Sequence, residues 1–207
     1  MKWRWSMKIE RVSDDSAVLR IGFVSVYKDA FGGAPYFETY TDEEVVRDIW
    51  LPHLQNGIIV LAREGESVIG FACALPLCSA PADVREFLEE QKRRGRFPID
   101  FTTVWYNSEL GVYTTLRKRG IGYALMRARL GEIRARGGEK YVARTAAEGS
   151  NSLHFYERIE STKLSEIQSV AASAQVLVNK SQSTARIYLS GACAEGVKKI
   201  DAILHAK

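Results

Sequence analysis

The 207-residue sequence is short of several things, and each shortage excludes a class of protein. Three cysteines, Cys73, Cys78 and Cys193, are too few and too irregularly spaced for a disulfide framework or a thiolate metal site. Cys73 and Cys78 fall in an apolar run and read as small core residues of a reduced protein. Three histidines, His53, His154 and His205, form no metal-ligand pattern, so no metal is expected, and His154 reads as a surface or packing residue. No run of about 18 apolar residues occurs, which argues against a membrane-spanning helix and a membrane partner. The start, Met1-Lys2-Trp3-Arg4-Trp5-Ser6, is basic without the apolar stretch of a signal peptide. Residues 1–6 are read as an N-terminal extension, 7–207 as a single domain, and the expected location is the cytoplasm. Repeats and low-complexity stretches are also missing.

What remains is an ordinary globular composition, 46% hydrophobic and 26% charged, long enough for one sizeable core. A net charge of +4 does not by itself indicate nucleic acid. Its basic residues are unevenly placed, however. Arg117, Lys118, Arg119, Arg127, Arg129, Arg134, Arg136, Lys140 and Arg144 crowd one region, which suits an anionic ligand.

Local patterns predict an alternating chain. A strand over Lys8–Val12 leads through Ser13-Asp14-Asp15-Ser16, a capping cluster, into a helix over 17–30. Thr41-Asp42-Glu43-Glu44 caps a second helix to about Leu54. Ile58–Ala62 and Ser67–Leu77 are strands joined at Glu64-Gly65-Glu66. A helix follows near 82–94, then a strand over 101–113 and a helix to Arg136, stopped by Gly137-Gly138. Tyr141–Thr145 reads as a strand and Ser152–Arg158 as a short helix. Residues 175–179 and 186–190 read as a hairpin, and Glu195–His205 as a closing helix. Segment 159–174 shows no clear pattern.

The most informative stretch runs from Leu110-Gly111-Val112-Tyr113-Thr114 into Arg117-Lys118-Arg119-Gly120-Ile121-Gly122-Tyr123-Ala124. A strand that turns through glycines into a helix leaves backbone N–H groups free at the helix start. Those donors and the helix dipole favour a phosphate or pyrophosphate there. The segment resembles the acyl-CoA-binding motif of the GNAT superfamily of N-acyltransferases, Val-x-Pro-x-x-Arg-x-x-Gly-x-Gly/Ala. Here it is carried by Val112, Thr114 in place of the proline, Arg117, Gly120 and Gly122. The resemblance implies an α/β GNAT fold, with a mixed central sheet flanked by helices and strands four and five (101–113 and 141–145) splayed. The helix near 82–94 and the C-terminal helix are additions to it. It further implies acetyl-CoA, or another acyl-CoA, as cofactor. Leu110 and Val112 would lie along the pantetheine arm, and Arg117 to Ala124, including Lys118, Arg119, Ile121 and Tyr123, at the pyrophosphate.

Acyl transfer to an amine needs a base, a positioned thioester and a group to meet the departing thiolate. Glu109, in an otherwise neutral strand three residues before Val112, is the candidate base. Phe155-Tyr156-Glu157-Arg158 resembles the family's Tyr-Glu helix element, which implies that Tyr156 serves the thiolate as general acid and that Asn151 touches pantetheine. The element departs from the family in two respects: Asn151 and Tyr156 are closer in sequence than is usual, and Glu160-Ser161 stands where Gly-Phe is usual. Tyr36, Phe37, Glu38 and Tyr40 form a candidate acceptor loop, the rings walling a carbon skeleton and the carboxylate attracting an ammonium. The expected reaction is direct transfer of an acetyl group to a primary amine of a small molecule or peptide. A non-catalytic acyl-CoA sensor, or an enzyme using a longer acyl donor on a peptide or protein amine, remain alternatives. A nucleic-acid partner is not expected, and nothing in the sequence excludes a homodimer.

Overall fold

The computed structural model describes residues 7–97, 100–171 and 184–206. Its centre is a seven-stranded mixed sheet in the order β1-β2-β3-β4-β5-β7-β6. The strands are β1 (Met7–Arg11), β2 (Ile58–Glu64), β3 (Ser67–Pro76), β4 (Val104–Val112), β5 (Lys140–Ala146), β6 (Thr162–Ser169) and β7 (Ala185–Ala192). β4 and β5 pair in parallel, while every other neighbouring pair is antiparallel. The parallel pair is possible because a helix, α5 (Ile121–Ala135), carries the chain back between them.

Two features of this sheet create the site. The β4–β5 register covers only Val104↔Lys140 to Asn107↔Ala143, although both strands continue beyond it. Past Asn107 the strands separate, and this is the splay expected from the family resemblance. The second feature is a bulge. β3 advances two residues, Cys73 to Leu75, while β4 spends three, Glu109 to Tyr106. An extra residue interrupts the alternation of faces at this point of β4, and the consecutive residues Tyr106 to Leu110 line one cavity.

Helices cover both faces. α1 (Ala17–Phe31) begins at Ser16, whose side chain accepts from Leu19 N–H, and buries Phe23, Val24, Val26 and Tyr27 with Trp50, Leu61 and Phe71. A Thr41–Glu44 capping box starts α2 (Asp42–Val45). The expected helix to Leu54 is in fact α2, a π-turn at Val46–Trp50, and α3 (Leu51–Asn56). Pro52, which lacks an N–H, stands just after the widened turn. α5 packs on β1–β4 from the opposite side, with α7 (Cys193–His205) against it. The helix near 82–94 is α4 (Ala82–Arg93), whose Val84 and Leu88 close a third cluster over Val104, Val142, Leu164 and Tyr188.

Three expectations are corrected. β7 pairs with β6, inside the stretch that showed no pattern, and the expected partner 175–179 lies outside the described residues, as does the 1–6 extension. Cys78 is exposed, on a turn after β3, whereas Cys73 and Cys193 are buried. The basic crowd does not converge on one ligand. Arg127 pairs with Asp201, Arg136 with Glu132 and Arg144 with Asp83, and Arg129 is wholly buried.

Candidate active site

Two cavities lie along the splay and share Phe31, Tyr36, Leu110 and Ser152 in their walls. The larger, about 580 Å³, runs from Leu110 and Val112 to the start of α5. Arg117, Lys118, Gly120, Ile121, Gly122, Tyr123 and Asn151 line it, together with His154, Phe155 and Arg158. Arg119 and Ala124 do not line it.

Local chemistry shapes this turn. Gly120 caps α5 with φ +86°, a left-handed conformation that glycine adopts without Cβ strain. The first intrahelical bond runs from Ala124 N–H to the Gly120 carbonyl, so the N–H groups of Ile121, Gly122 and Tyr123 have no acceptor within the helix. A Cβ on Gly122 would meet nothing within 4 Å, so the helix start faces open space. Free donors, the positive helix end and an open approach fit a pyrophosphate. Thr114, where the family motif has proline, has a structural reason. Its N–H donates to Asp29 Oδ2 at 2.6 Å and its hydroxyl to Oδ1 at 3.1 Å, tying the end of β4 to α1. Proline could not make the first bond. The Arg117 side chain is also a brace, donating to the Val112 carbonyl at 3.4 Å and to the Ala30 carbonyl at 3.1 Å.

α6 (Asn151–Arg158) enters the site from beyond β5. Ser150 caps it by accepting from Ser152 N–H, and its hydroxyl lies 2.6 Å from Thr145 Oγ1, which in turn meets the Tyr36 hydroxyl at 3.2 Å. This chain of hydroxyls fixes Asn151 at the first helical position. At the other end Glu160 takes φ +58°, and Ser161 N–H closes back onto the Tyr156 carbonyl. The unusual Glu160-Ser161 therefore forms the left-handed turn that glycine commonly supplies.

The smaller cavity, about 210 Å³, is polar and lies on the other side of Leu110. Tyr36, Glu38, Tyr40, Glu109 and Tyr156 line it, as expected, but Phe37 does not. Glu109 is half-buried at a cavity wall, and the surrounding protein desolvates its carboxyl enough to push its pKa up to about 8. The nearby charge of Glu38 adds to the rise, while Arg144 and Arg129 oppose it.

Sequence reasoning missed several residues here. Asn107, Ser108, Arg144 and Arg186 also line the smaller cavity. Ser108 Oγ is 2.6 Å from His53 Nε2, and His53 Nδ1 is 2.6 Å from the Ile49 carbonyl. A carbonyl only accepts, so Nδ1 carries the proton and Nε2 accepts from the Ser108 hydroxyl. Burial holds the His53 pKa down at about 4, so the ring is neutral at physiological pH. Asn107 Oδ1 is buried without a partner beside the splay. Arg129 is readable as more than a surface cation. It falls three residues after Met126 and four before Ile133, on the stripe that α5 buries.

The profile of the GNAT acetyltransferase family matches residues 23–160. The chain belongs to that family. Its cofactor is acetyl-CoA. Solved structures with the same fold include yncA from Salmonella typhimurium with its cofactor acetyl-CoA, 13% identical, covering 90% of this chain and 94% of that one with a TM-score of 0.59. Aminoglycoside 6′-acetyltransferase type Ii is 18% identical, with 90% and 97% coverage and a TM-score of 0.60. A ribosomal-protein-alanine N-acetyltransferase from Brucella melitensis is 13% identical, with 89% and 99% coverage and a TM-score of 0.61. A comparison with curated protein sequences found no match. Among the described residues, no group of three or more His, Cys, Asp or Glu could hold a metal, and no helix is long and apolar enough to cross a membrane.

Proposed function

We propose that residues 7–207 act as one acetyl-CoA-dependent N-acetyltransferase domain, which passes an acetyl group directly to a primary amine of a small molecule or peptide. The supporting observation is the meeting of the two cavities at Leu110 and Ser152. One has an open anion cradle, and the other carries a desolvated carboxyl and a phenol in its walls. The three free cysteines fit a cytoplasmic setting.

Acetyl-CoA supplies an activated thioester. The N–H groups of Ile121, Gly122 and Tyr123 hold its pyrophosphate, and Leu110, Val112 and Asn151 flank its pantetheine. On the acceptor side, Glu38 and the rings of Tyr36 and Tyr40 attract and wall the ammonium. The Ser108 hydroxyl already donates to His53, so its lone pairs are left for an incoming N–H. Glu109 takes the proton that the amine must lose, directly or through water. Tyr156 Oη donates to the departing sulfur, where negative charge develops.

Mass-spectrometric detection of acetylated product from acetyl-CoA and a panel of small and peptide amines tests the activity, and no product across the panel would oppose it. The cofactor site has its own test. Gly122 is helical and its Cβ direction is open, so Gly122→Glu should fold normally while placing a carboxylate at the anion cradle. CoA affinity measured by calorimetry should fall at least about tenfold, about 1.4 kcal/mol. Unchanged affinity would move the pyrophosphate elsewhere.

A further inference from the structure

Arg129 is an anomaly. It sits in the middle of α5, is 0% exposed, and among the described residues no carboxylate lies within ion-pair distance of its guanidinium. Its Nη1 donates to the Cys73 carbonyl at 3.0 Å and the Glu109 carbonyl at 2.8 Å. Its Nη2 donates to Tyr156 Oη at 3.1 Å and also meets the Met126 thioether. Its Nε has no partner at all. Burying a cation with two carbonyls, a thioether and a phenol for company is costly, and an apolar side chain of similar volume commonly replaces such a group without loss of stability. Packing therefore does not explain it.

The geometry points to Arg129 as the positioning residue for Tyr156, a role that rests on the proposed acetyl transfer and its assignment of Tyr156 to the departing sulfur. A phenol oxygen that accepts from a permanently charged donor turns its own O–H away from that donor. Tyr156 lines the smaller cavity, which shares Phe31, Tyr36, Leu110 and Ser152 with the larger one, so an O–H turned away from Arg129 is available to a group in that cavity. When the C–S bond breaks, the electron pair stays on sulfur, the O–H bond of Tyr156 breaks and an S–H bond forms. The negative charge left on Oη meets Nη2, a donor already in place that needs no reorganisation. Solvent then returns a proton to Oη. The same guanidinium, through Nη1, holds the backbone of Glu109 at the bulge. Base and acid are thus registered against one rigid group.

A double-mutant cycle in the full-length protein tests this. Arg129→Met, Tyr156→Phe and the double variant are compared for kcat, for KM of acetyl-CoA and for melting temperature. Arg129→Met should lower kcat about tenfold or more with KM of acetyl-CoA little changed. Added to Tyr156→Phe, it should lower kcat by a clearly smaller factor than in the native background, because the part of its effect that passes through the hydroxyl is already lost. An equal loss in both backgrounds, or no loss in the native background, overturns the role. If Arg129→Met does not fold, Arg129→Lys, which keeps the charge but cannot reach phenol and carbonyls together, is put through the same cycle, where the same two results overturn the role. The underlying reading fails differently, since full turnover in Tyr156→Phe alone removes the acid and the positioning role with it.

Discussion

Glu109→Gln is expected to lower acetyl transfer by about 10²–10⁴ while leaving CoA affinity nearly intact. The change removes basicity but keeps shape, and Glu109 lines the smaller cavity without lining the larger one, where the proposal places CoA. pH dependence makes the expectation specific. With its pKa pushed up to about 8, the carboxyl is a base only in its ionised fraction, so native kcat/KM should rise with pH through about 8. The glutamine variant should lack that limb. Stability moves the other way. The unfolded chain releases this proton near 4.5 and the folded chain near 8, so between those values the folded state binds more protons. Stability attributable to Glu109 is therefore full below about 4.5 and is lost as pH rises through about 8. Glu109→Gln should flatten this fall, giving a protein that is more stable than the native one at pH 8 to 9 and far less active. Native rates at all pH values would remove Glu109 from the chemistry.

Tyr156→Phe is expected to have the next largest effect, a loss in turnover of about 10²-fold or more. The ring packs against Tyr141 and Phe155 and is only 4% exposed, so retaining it preserves most of the core contact. The loss should be greater for acetyl-CoA than for an acetyl donor whose leaving group is less basic, because such a group needs less help from an acid. Pre-steady-state rates on matched donors check this. Equal loss on both donors would show that the hydroxyl acts on something other than the leaving group. Loss of melting temperature and activity together would make Tyr156 a packing residue.

Local chemistry made much of this legible. The Gly120–Gly122 turn, the Ser16 and Thr41 caps and the alternation of strand and helix are written in neighbouring residues, and they appear where the sequence put them. The parts that were not legible depend on distant partners. β6, Thr-Lys-Leu-Ser-Glu-Ile-Gln-Ser, buries only Leu164 fully and leaves Ile167 exposed, so its pattern is weak until β7 pairs with it. The Ser108–His53 contact joins β4 to α3, 55 positions apart, and depends on a bulge that no single strand announces. Arg129 reads as one more of its charged neighbours because charge is more conspicuous in a sequence than helical phase. Arg144 and Arg186 reach the smaller cavity because β5 and β7 pair with Arg144 opposite Tyr188 and Arg186 opposite Ala146, setting both on one face.

The short β4–β5 register has a mechanical consequence. Among the described residues, four residue pairs make up the strand-to-strand join between one slab, β1 to β4, and another, β5, β7 and β6. A sheet joined along so little of its length resembles a book on a short spine, with the facing edges of β4 and β5 beyond Asn107 and Ala143 not paired to each other. A ligand lying between those edges acts as a clasp. Amide exchange should then slow on both slabs at once, at 108–112 and at 144–146, when CoA is added. The fold should also gain about 2.7 kcal/mol at a ligand concentration about one hundred times Kd. Slowing on the β4 edge alone would mean that the ligand leans on one cover and leaves the book free to open.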